Sequence, residues 1–160
     1  MIEVKIICIG KLKEKYWSDA SFEYIKRLKP FCNLEIIELP EERIGKKARG
    51  ADIDIVKIKE GEAILSKVRE SDYVVTLEIM GKELSSKEMS GFLIKLMHEG
   101  KTKIDFIIGG SYGLSSEVSN RADFKLSFSK MTFPHQMMRV ILLEQLYRSF
   151  MIDRGAPYHK

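Results

Sequence analysis

Five short runs of apolar residues along the chain have the length and composition of β-strands. They are Ile2–Ile9, Leu34–Glu38, Tyr73–Glu78, Ile104–Ile108 and Lys125–Phe128. The third and fourth runs are rich in β-branched residues and apolar at nearly every position, which is typical of central strands in a parallel sheet. The pattern therefore predicts a sheet whose middle strands are covered on both faces.

Segments with helical spacing of apolar residues separate these runs. Helices are predicted over Tyr16–Leu28, Asp54–Val68, Ser85 to about His98, Ser115–Asn120, and Pro134 to about Met151. This alternation predicts an α/β fold, with a parallel-stranded sheet flanked by helices, as a single domain over residues 1–160. The charged segment Pro40–Ala51 is predicted to be a flexible loop, and no chemistry is assigned to it.

Composition narrows the class of protein. Hydrophobic residues make up 44% and charged residues 31% of the chain, which argues against an intrinsically disordered protein. No apolar run approaches the roughly 18 residues of a membrane span, and the first ten residues are typical of a strand rather than a signal peptide. Cys8 and Cys32 are too few for a disulfide scaffold, so we expect two buried thiols in a reducing cytoplasm. His98, His135 and His159 are too scattered to predict a metal site.

Positive charge is concentrated at the end of the chain. The formal net charge is +4, and residues 1–120 contribute equal numbers of basic and acidic side chains. Residues 121–160 hold seven basic side chains against three acidic ones. The basic ones are Arg121, Lys125, Lys130, Arg139, Arg148, Arg154 and Lys160. Such a segment favours a polyanionic partner such as RNA, although a solvated face would have the same composition.

Candidate ligand-binding residues follow three of the predicted strands. Ligands of open parallel sheets bind at the carboxyl ends of strands, and these ends carry residues 77–82, 108–114 and 127–136. The run GGSYG at 109–113 lets the backbone approach a ligand, but a tight turn without a ligand explains it equally well. It is neither a dinucleotide fingerprint nor a P-loop, because GxGxxG and GxxxxGK[ST] are absent. In the third segment, His135 is interpreted as a surface or hydrogen-bonded residue.

The last seven residues, RGAPYHK, are a second unusual segment. A disordered basic end is one interpretation, since chain termini commonly fray. The other is a lid that brings Arg154, Tyr158 and His159 to a site, where an imidazole could transfer a proton near neutral pH. Both interpretations stay open at this point.

Several segments together resemble one known family. They are IICIGKLKEKYW at 6–17, IGGSYGL at 108–114, LSFSKMTFPHQMMRVILLEQLYRSF at 126–150 and RGAPYHK at 154–160. They resemble the ribosomal large subunit methyltransferase H family, of the SPOUT class of S-adenosylmethionine-dependent RNA methyltransferases. The resemblance implies a C-terminal trefoil knot, a homodimer, and methylation of N3 of a pseudouridine in 23S rRNA within the assembled ribosome.

The resemblance also implies the residues of the site. The binding site for S-adenosylmethionine would comprise Leu77, Gly109, Phe128, Ser129, Lys130, Met131, Thr132 and Phe133. From the chemistry that such a reaction requires, our hypothesis is that His159 accepts the proton of the base, directly or through water, and that Arg154 stabilises the negative charge that develops on it. Tyr158 would stack on the base, donate a hydrogen bond to it, or position the tail.

A dimer would supply RNA-binding surface that so small a domain lacks. We expect the last helix to contribute to the subunit contact through Ile141, Leu142, Leu146 and Tyr147. The tail of one subunit would complete the pocket of the other, or its own.

Other function classes remain possible from the residues themselves. A non-enzymatic ribosome-associated RNA-binding module would explain the basic end without a cofactor. A Rossmann-like oxidoreductase is disfavoured by the missing glycine fingerprint. A methyltransferase could also act on a different RNA position, because the choice of base depends on the shape of the pocket.

Overall fold

Five strands and five helices alternate along the chain in the computed structural model, which describes residues 1–160. The strands are β1 (Ile2–Ile9), β2 (Cys32–Leu39), β3 (Tyr73–Glu83), β4 (Lys103–Ile108) and β5 (Phe124–Ser127). The helices are α1 (Lys15–Leu28), α2 (Gly50–Leu65), α3 (Ser86–His98), α4 (Ser116–Arg121) and α5 (His135–Asp153). None of these helices combines the length and the apolar surface that crossing a bilayer requires.

The strands form one sheet in the order β2-β1-β4-β3-β5, and every neighbouring pair is parallel. In this register, Ile6 of β1 lies opposite Ile36 of β2 and Phe106 of β4. The predicted fold class, a parallel-stranded sheet flanked by helices, is therefore confirmed. All five strands end at the same edge of the sheet, which gathers the loops that follow them.

The sheet is covered on both faces, because neighbouring residues of each strand point to opposite sides. Ile6 and Phe106 belong to a core cluster that includes side chains of α1, α3 and α5. Ile7 and Ile107 belong to a second cluster, closed by Ile64 of α2 and Val118 of α4. The central strands are therefore apolar at nearly every position because both faces of the sheet are covered, as predicted. Cys8 and Cys32 are buried free thiols, as expected.

Strand β3 runs five residues beyond its predicted end and changes register on the way. Leu77 and Lys82 both lie opposite Leu126 of β5, so residues 78–81 bulge out of the ladder. The bulge needs glycine at one point, since a Cβ on Gly81 would lie 2.7 Å from the carbonyl oxygen of Lys125. The mixed sequence EIMGKE gives no strand pattern, and pairing with β5 supplies the missing ladder.

Helix boundaries agree with the sequence pattern where a cap is recognisable. At α3 the hydroxyl of Ser85 accepts the N–H of Glu88 at 3.2 Å, and the Glu88 carboxylate accepts the N–H of Ser85 at 2.7 Å. Helix α2 begins at Gly50 rather than Asp54, because the Asp52 carboxylate accepts the N–H of Arg49 at 2.8 Å. The last two residues of the predicted loop 40–51 therefore belong to this helix.

Helix α5 corrects the prediction about the subunit contact. Leu142 and Leu146 have no exposed surface in the single chain, since they pack in the core beneath the sheet. They cannot also contact a second subunit. Ile141 and Tyr147 are only half-buried and remain accessible.

Candidate functional site

A cavity of about 710 Å³ opens at the carboxyl edge of the sheet. Its wall is built from the bulged part of β3, the carboxyl ends of β4 and β5 with the segments that follow them, and the first turn of α5. The lining residues are Leu77, Glu78, Ile79, Ile108, Gly109, Gly110, Ser111, Tyr112, Gly113, Leu114, Leu126, Phe128, Ser129, Met131, Thr132, Phe133, Pro134, His135 and Met138. The parallel sheet brings together segments that lie far apart in the sequence.

Seven of the eight residues predicted to bind a cofactor line this one cavity. They are Leu77, Gly109, Phe128, Ser129, Met131, Thr132 and Phe133. Lys130 does not line it, and its side chain is exposed to solvent. The structure thus places seven predicted positions around one space and leaves the charged one outside.

The glycine run after β4 is a tight turn and also a wall of the cavity. The N–H of Gly113 donates to the carbonyl of Gly110 at 3.0 Å, and Gly113 has a φ of +83° that favours glycine. A Cβ on Gly109 would lie 2.9 Å from Leu114, so only glycine fits there without a shift. The predicted tight turn is therefore confirmed, and the approach of a ligand to its backbone stays a prediction.

The bulge of β3 is held in place by a carboxylate at the mouth of the cavity. Glu78 accepts hydrogen bonds from the hydroxyls of Thr76 at 2.6 Å and Ser119 at 2.9 Å. Ser119 lies in α4, so this carboxylate connects the bulge to the layer formed by α2 and α4. These hydrogen bonds hold the Glu78 carboxylate at one wall of the cavity.

The segment after β5 is ordered by hydrogen bonds between close neighbours. The Ser127 hydroxyl donates to the carbonyl of Ser129 at 3.1 Å, and the Ser129 hydroxyl accepts the N–H of Met131 at 3.0 Å. Pro134 then precedes α5, whose first turn has no side-chain cap. His135 is half-buried and lines the cavity, whereas the sequence predicted a surface or hydrogen-bonded residue. Its place after a strand end and a helix-starting proline was the signal for this position.

Glu60 lies directly behind the glycine turn and was not predicted. It is 5% exposed, and a Cβ on Gly110 would lie 2.6 Å from its Oε2 atom. Burial raises the pKa of Glu60 to about 7, and the nearby charge of Glu41 contributes to the same rise. Helical periodicity cannot find such a residue, because its burial depends on a loop 50 residues later in the chain.

The carboxyl-terminal tail is ordered against α5 and α1 rather than in the cavity of its own chain. The Tyr158 hydroxyl donates to Glu144 at 3.1 Å, and the Tyr158 ring contacts the edge of Tyr147. His159 Nδ1 lies 3.3 Å from a guanidinium N–H group of Arg148, which can only donate. Burial raises the pKa of Tyr158, and its bonds to neighbouring groups keep the phenol protonated. A disordered end is thereby excluded.

Arg154 occupies the turn between α5 and this tail. Its guanidinium lies 4.4 Å from the centre of the Phe31 ring, and Gly155 turns the chain with a φ of +63°. None of Arg154, Tyr158 and His159 lines the cavity. Glu144 lies nine residues beyond His135, which is about 14 Å along a helix. One chain therefore does not bring its predicted catalytic residues to its own predicted cofactor residues.

Two further findings concern metals and known relatives. No group of three His, Cys, Asp or Glu side chains is arranged to hold a metal ion.

A family model described as "Predicted SPOUT methyltransferase" matches residues 2–159. The chain is 54% identical over 159 residues to the ribosomal RNA large subunit methyltransferase H of Clostridium novyi. It is 53% identical to the protein of that name from Clostridium acetobutylicum and 52% identical to that from Pediococcus pentosaceus. Each alignment covers 99% of this chain and 100% of the relative.

Proposed function

The chain belongs to the SPOUT methyltransferase family, and we propose that it transfers a methyl group from S-adenosylmethionine to N3 of a pseudouridine in 23S rRNA of the assembled ribosome. Methylation of large-subunit rRNA is the activity that its relatives' names state. The observation that carries the proposal is the cavity at the carboxyl edge, where seven of the predicted cofactor residues meet. We further propose that residues 1–160 act as one domain in the cytoplasm, where ribosomes are found.

The lining of the cavity fits an adenosine-type cofactor. The walls are mostly apolar, with Leu114, Phe128 and Phe133 among them, and such walls suit a flat base. The Gly109 backbone can approach a ligand closely, because no side chain stands in front of it. No lysine or arginine lines the space, and the carboxylate of Glu78 does, which suits a ligand that carries its own positive charge.

The proposed chemistry divides between cofactor and protein. The cofactor supplies a methyl group on a sulfonium, and the displacement forms an N–C bond as the C–S bond breaks. The protein must orient the base in line with that methyl group and remove the proton from N3. We assign proton removal to His159 and stabilisation of the developing negative charge to Arg154. The contacts of Tyr158 with Glu144 and Tyr147 favour its role in positioning the tail.

A homodimer would join the two halves of this site. Because the tail lies away from the cavity of its own chain, we propose that it completes the cavity of a second copy. Exposed apolar side chains support this, since Met80 in the bulge of β3 is 95% exposed and Met131 in the cavity wall is 73% exposed. The family's C-terminal trefoil knot is also proposed here, and the close approach of Gly81 to the Lys125 backbone is the kind of contact that crossing segments need.

The first experiment measures the proposed methylation directly. Ribosomes from a strain that lacks this protein are incubated with the purified protein and S-adenosylmethionine, and the 23S rRNA is digested for mass spectrometry. We expect one added methyl group, on a pseudouridine. Calorimetry with S-adenosylhomocysteine tests the alternative, because a non-enzymatic RNA-binding module would give no heat. Methylation at another position would agree with the family assignment but contradict the proposed target base.

The second experiment tests the tail. His159→Ala should reduce single-turnover methylation by at least 100-fold (on the order of general-base contributions) and leave S-adenosylhomocysteine binding unchanged, whereas Lys160→Ala should retain activity. Mixing His159→Ala with the cavity variant Gly109→Val should restore part of the activity if tails act across a dimer. No restoration would place the tail's action within one chain.

A further inference from the structure

Two loops next to the cavity carry free positive charge that the proposed chemistry does not use. We propose that they form the surface that binds the phosphate backbone of the substrate rRNA, and this rests on the proposed function. The basic rim, as we name it, comprises Lys11 and Lys13 between β1 and α1, and Arg43, Lys46, Lys47 and Arg49 between β2 and α2. The second loop is the charged segment to which the sequence pattern assigned no chemistry.

The first of these loops is attached to the wall of the cavity. The N–H of Lys13 donates to the side-chain oxygen of Gln136 at 2.9 Å. His135 Nε2 would lie 3.6 Å from a Cβ on Gly10, so its ring lies close against the start of this loop. Because His135 lines the cavity, this loop lies beside the cavity wall, and its Lys11 and Lys13 are exposed to solvent.

The second loop reaches the cavity through an acidic residue. Ser111, which lines the cavity, donates its hydroxyl to Glu41 at 3.2 Å. Glu42 is half-buried, and its backbone N–H lies near the buried Glu60 carboxylate. Both glutamates are thus held toward the glycine turn. The four cations of this loop are exposed and face outward into solvent.

The charge of the rim is not neutralised by ion pairs. The two loops hold six basic residues and three acidic ones, Glu14, Glu41 and Glu42. None of the six basic side chains takes part in a salt bridge. Unpaired cations that surround a cleft attract a polyanion at long range and release counterions when it binds.

The cations at the end of the chain are less available. Arg121, Arg139 and Arg148 each pair with a carboxylate of the same chain. Arg121 also donates to the carbonyl of Asp72 at 2.9 Å, and Arg139 is 2% exposed. Three of the seven basic side chains of this segment are therefore engaged within the chain, whereas Lys125, Lys130, Arg154 and Lys160 take part in no salt bridge. The two loops of the basic rim hold six unpaired cations beside the cavity.

The test compares two double variants that remove equal charge. Lys11→Gln with Lys13→Gln removes part of the rim, and Lys29→Gln with Lys101→Gln removes two exposed lysines before β2 and β4, at the opposite edge. We measure binding to ribosomes by sedimentation, methylation kinetics at several KCl concentrations, and S-adenosylhomocysteine affinity by calorimetry. A third variant neutralises Arg43, Lys46, Lys47 and Arg49 together.

The rim variants should raise KM about 10-fold and leave kcat and cofactor affinity unchanged. The slope of log binding against log salt should fall by about one for each phosphate that the variant no longer neutralises. The Lys29/Lys101 variant should behave as the unaltered protein. Unchanged binding and salt slope in the rim variants would overturn the proposal. So would weaker binding to ribosomes with unchanged binding to naked 23S rRNA, which would identify a ribosomal protein as the partner.

These outcomes separate the rim from the proposed reaction. Sedimentation measures binding whether or not a methyl group is transferred. If the unaltered protein binds ribosomes through the rim but adds no methyl group, the proposed function fails and the rim stands. If methylation is normal and the rim variants bind as before, the rim fails and the reaction stands.

Discussion

The guanidinium of Arg139 donates a hydrogen bond to Glu38 at 2.6 Å and another to the carbonyl oxygen of Gly10 at 3.0 Å. Through this one side chain, α5 is joined to the carboxyl ends of β2 and β1. Arg139 is buried, whereas Glu38 is about one-third exposed. Because His135 and Met138 of the same helix segment line the cavity, the ion pair holds part of its wall.

Glu38→Ala should destabilise the fold by about 2 kcal/mol, below the usual cost of leaving a buried charge unpaired, since water reaches Glu38. It should also weaken S-adenosylhomocysteine binding, because α5 loses its attachment to β2. Urea unfolding and calorimetry measure the two effects. Glu35→Ala, on an exposed position of the same strand, is the control. Equal losses in both variants would show that the pair has no special role.

Gly81→Ala should destabilise the protein by about 1–3 kcal/mol, as overpacking does. Its Cβ would meet backbone atoms of Lys125 and Leu126 at 2.7–2.9 Å, and neither strand can withdraw without breaking the β3–β5 pairing. Gly91→Ala is the matched control, since that helical glycine is exposed and has open space around it. It should stabilise by up to about 1 kcal/mol. A stable Gly81→Ala protein would contradict the close packing of the bulge.

Glu60→Gln should make the protein more stable above neutral pH. In the folded chain the pKa of Glu60 is raised to about 7 from an ordinary value of 4.5, mainly by burial. The stability that protonated Glu60 contributes is complete below about pH 4.5 and is lost as the pH rises through about 7. At pH 8 the variant should gain on the order of 2 kcal/mol over the unaltered protein, with little gain at pH 4.

Thermal unfolding between pH 4 and 8 measures this difference. Glu62→Gln, on the exposed side of α2, should show no such pH dependence. A constant offset between Glu60→Gln and the unaltered protein at every pH would contradict the burial of an ionisable carboxyl behind Gly110.

The carboxylates of Asp72 and Asp105 should respond in opposite ways to replacement by asparagine. Both accept hydrogen bonds from Lys5, at 3.0 and 3.1 Å, at the edge of the sheet opposite the cavity. Burial raises the pKa of Asp105 to about 6 despite Lys5. Burial also acts on Asp72, but hydrogen bonds from Lys5 and from the N–H of Arg69 hold its pKa below the ordinary value.

Ionised Asp72 therefore contributes stability above about pH 4, and that contribution is lost as the pH falls through its lowered pKa. The contribution of Asp105 is lost as the pH rises from about 4 to about 6. At pH 7.5 we expect Asp72→Asn to cost about 1–2 kcal/mol and Asp105→Asn to cost nothing or to stabilise. Urea unfolding at pH 7.5 checks this. Equal losses would mean that Lys5 binds both carboxylates alike.

The elements of this fold follow from local chemistry. Alternation and apolar runs located all five strands, and the Ser85–Glu88 cap located the start of α3, because each depends on residues a few positions apart. The three strand ends also predicted the cavity, since parallel strands must end at one edge. Features that depend on contact with a residue distant in the sequence were not predicted. The extension of β3 depends on β5, and the burial of Glu60 depends on Gly110.

By itself the sequence determined which segments become strands and helices and which loops share an edge, because periodicity and strand direction are properties of the local chain. Only the tertiary structure decided what each side chain meets. Leu142 and Leu146 became core rather than interface, Arg139 and Arg148 became internal partners rather than free charge, and Tyr158 bound Glu144 rather than reaching the cavity. The reason is that apolar or charged character indicates only that a side chain is stabilised by burial or by a partner. The packing of segments distant in the sequence determines which residues it contacts.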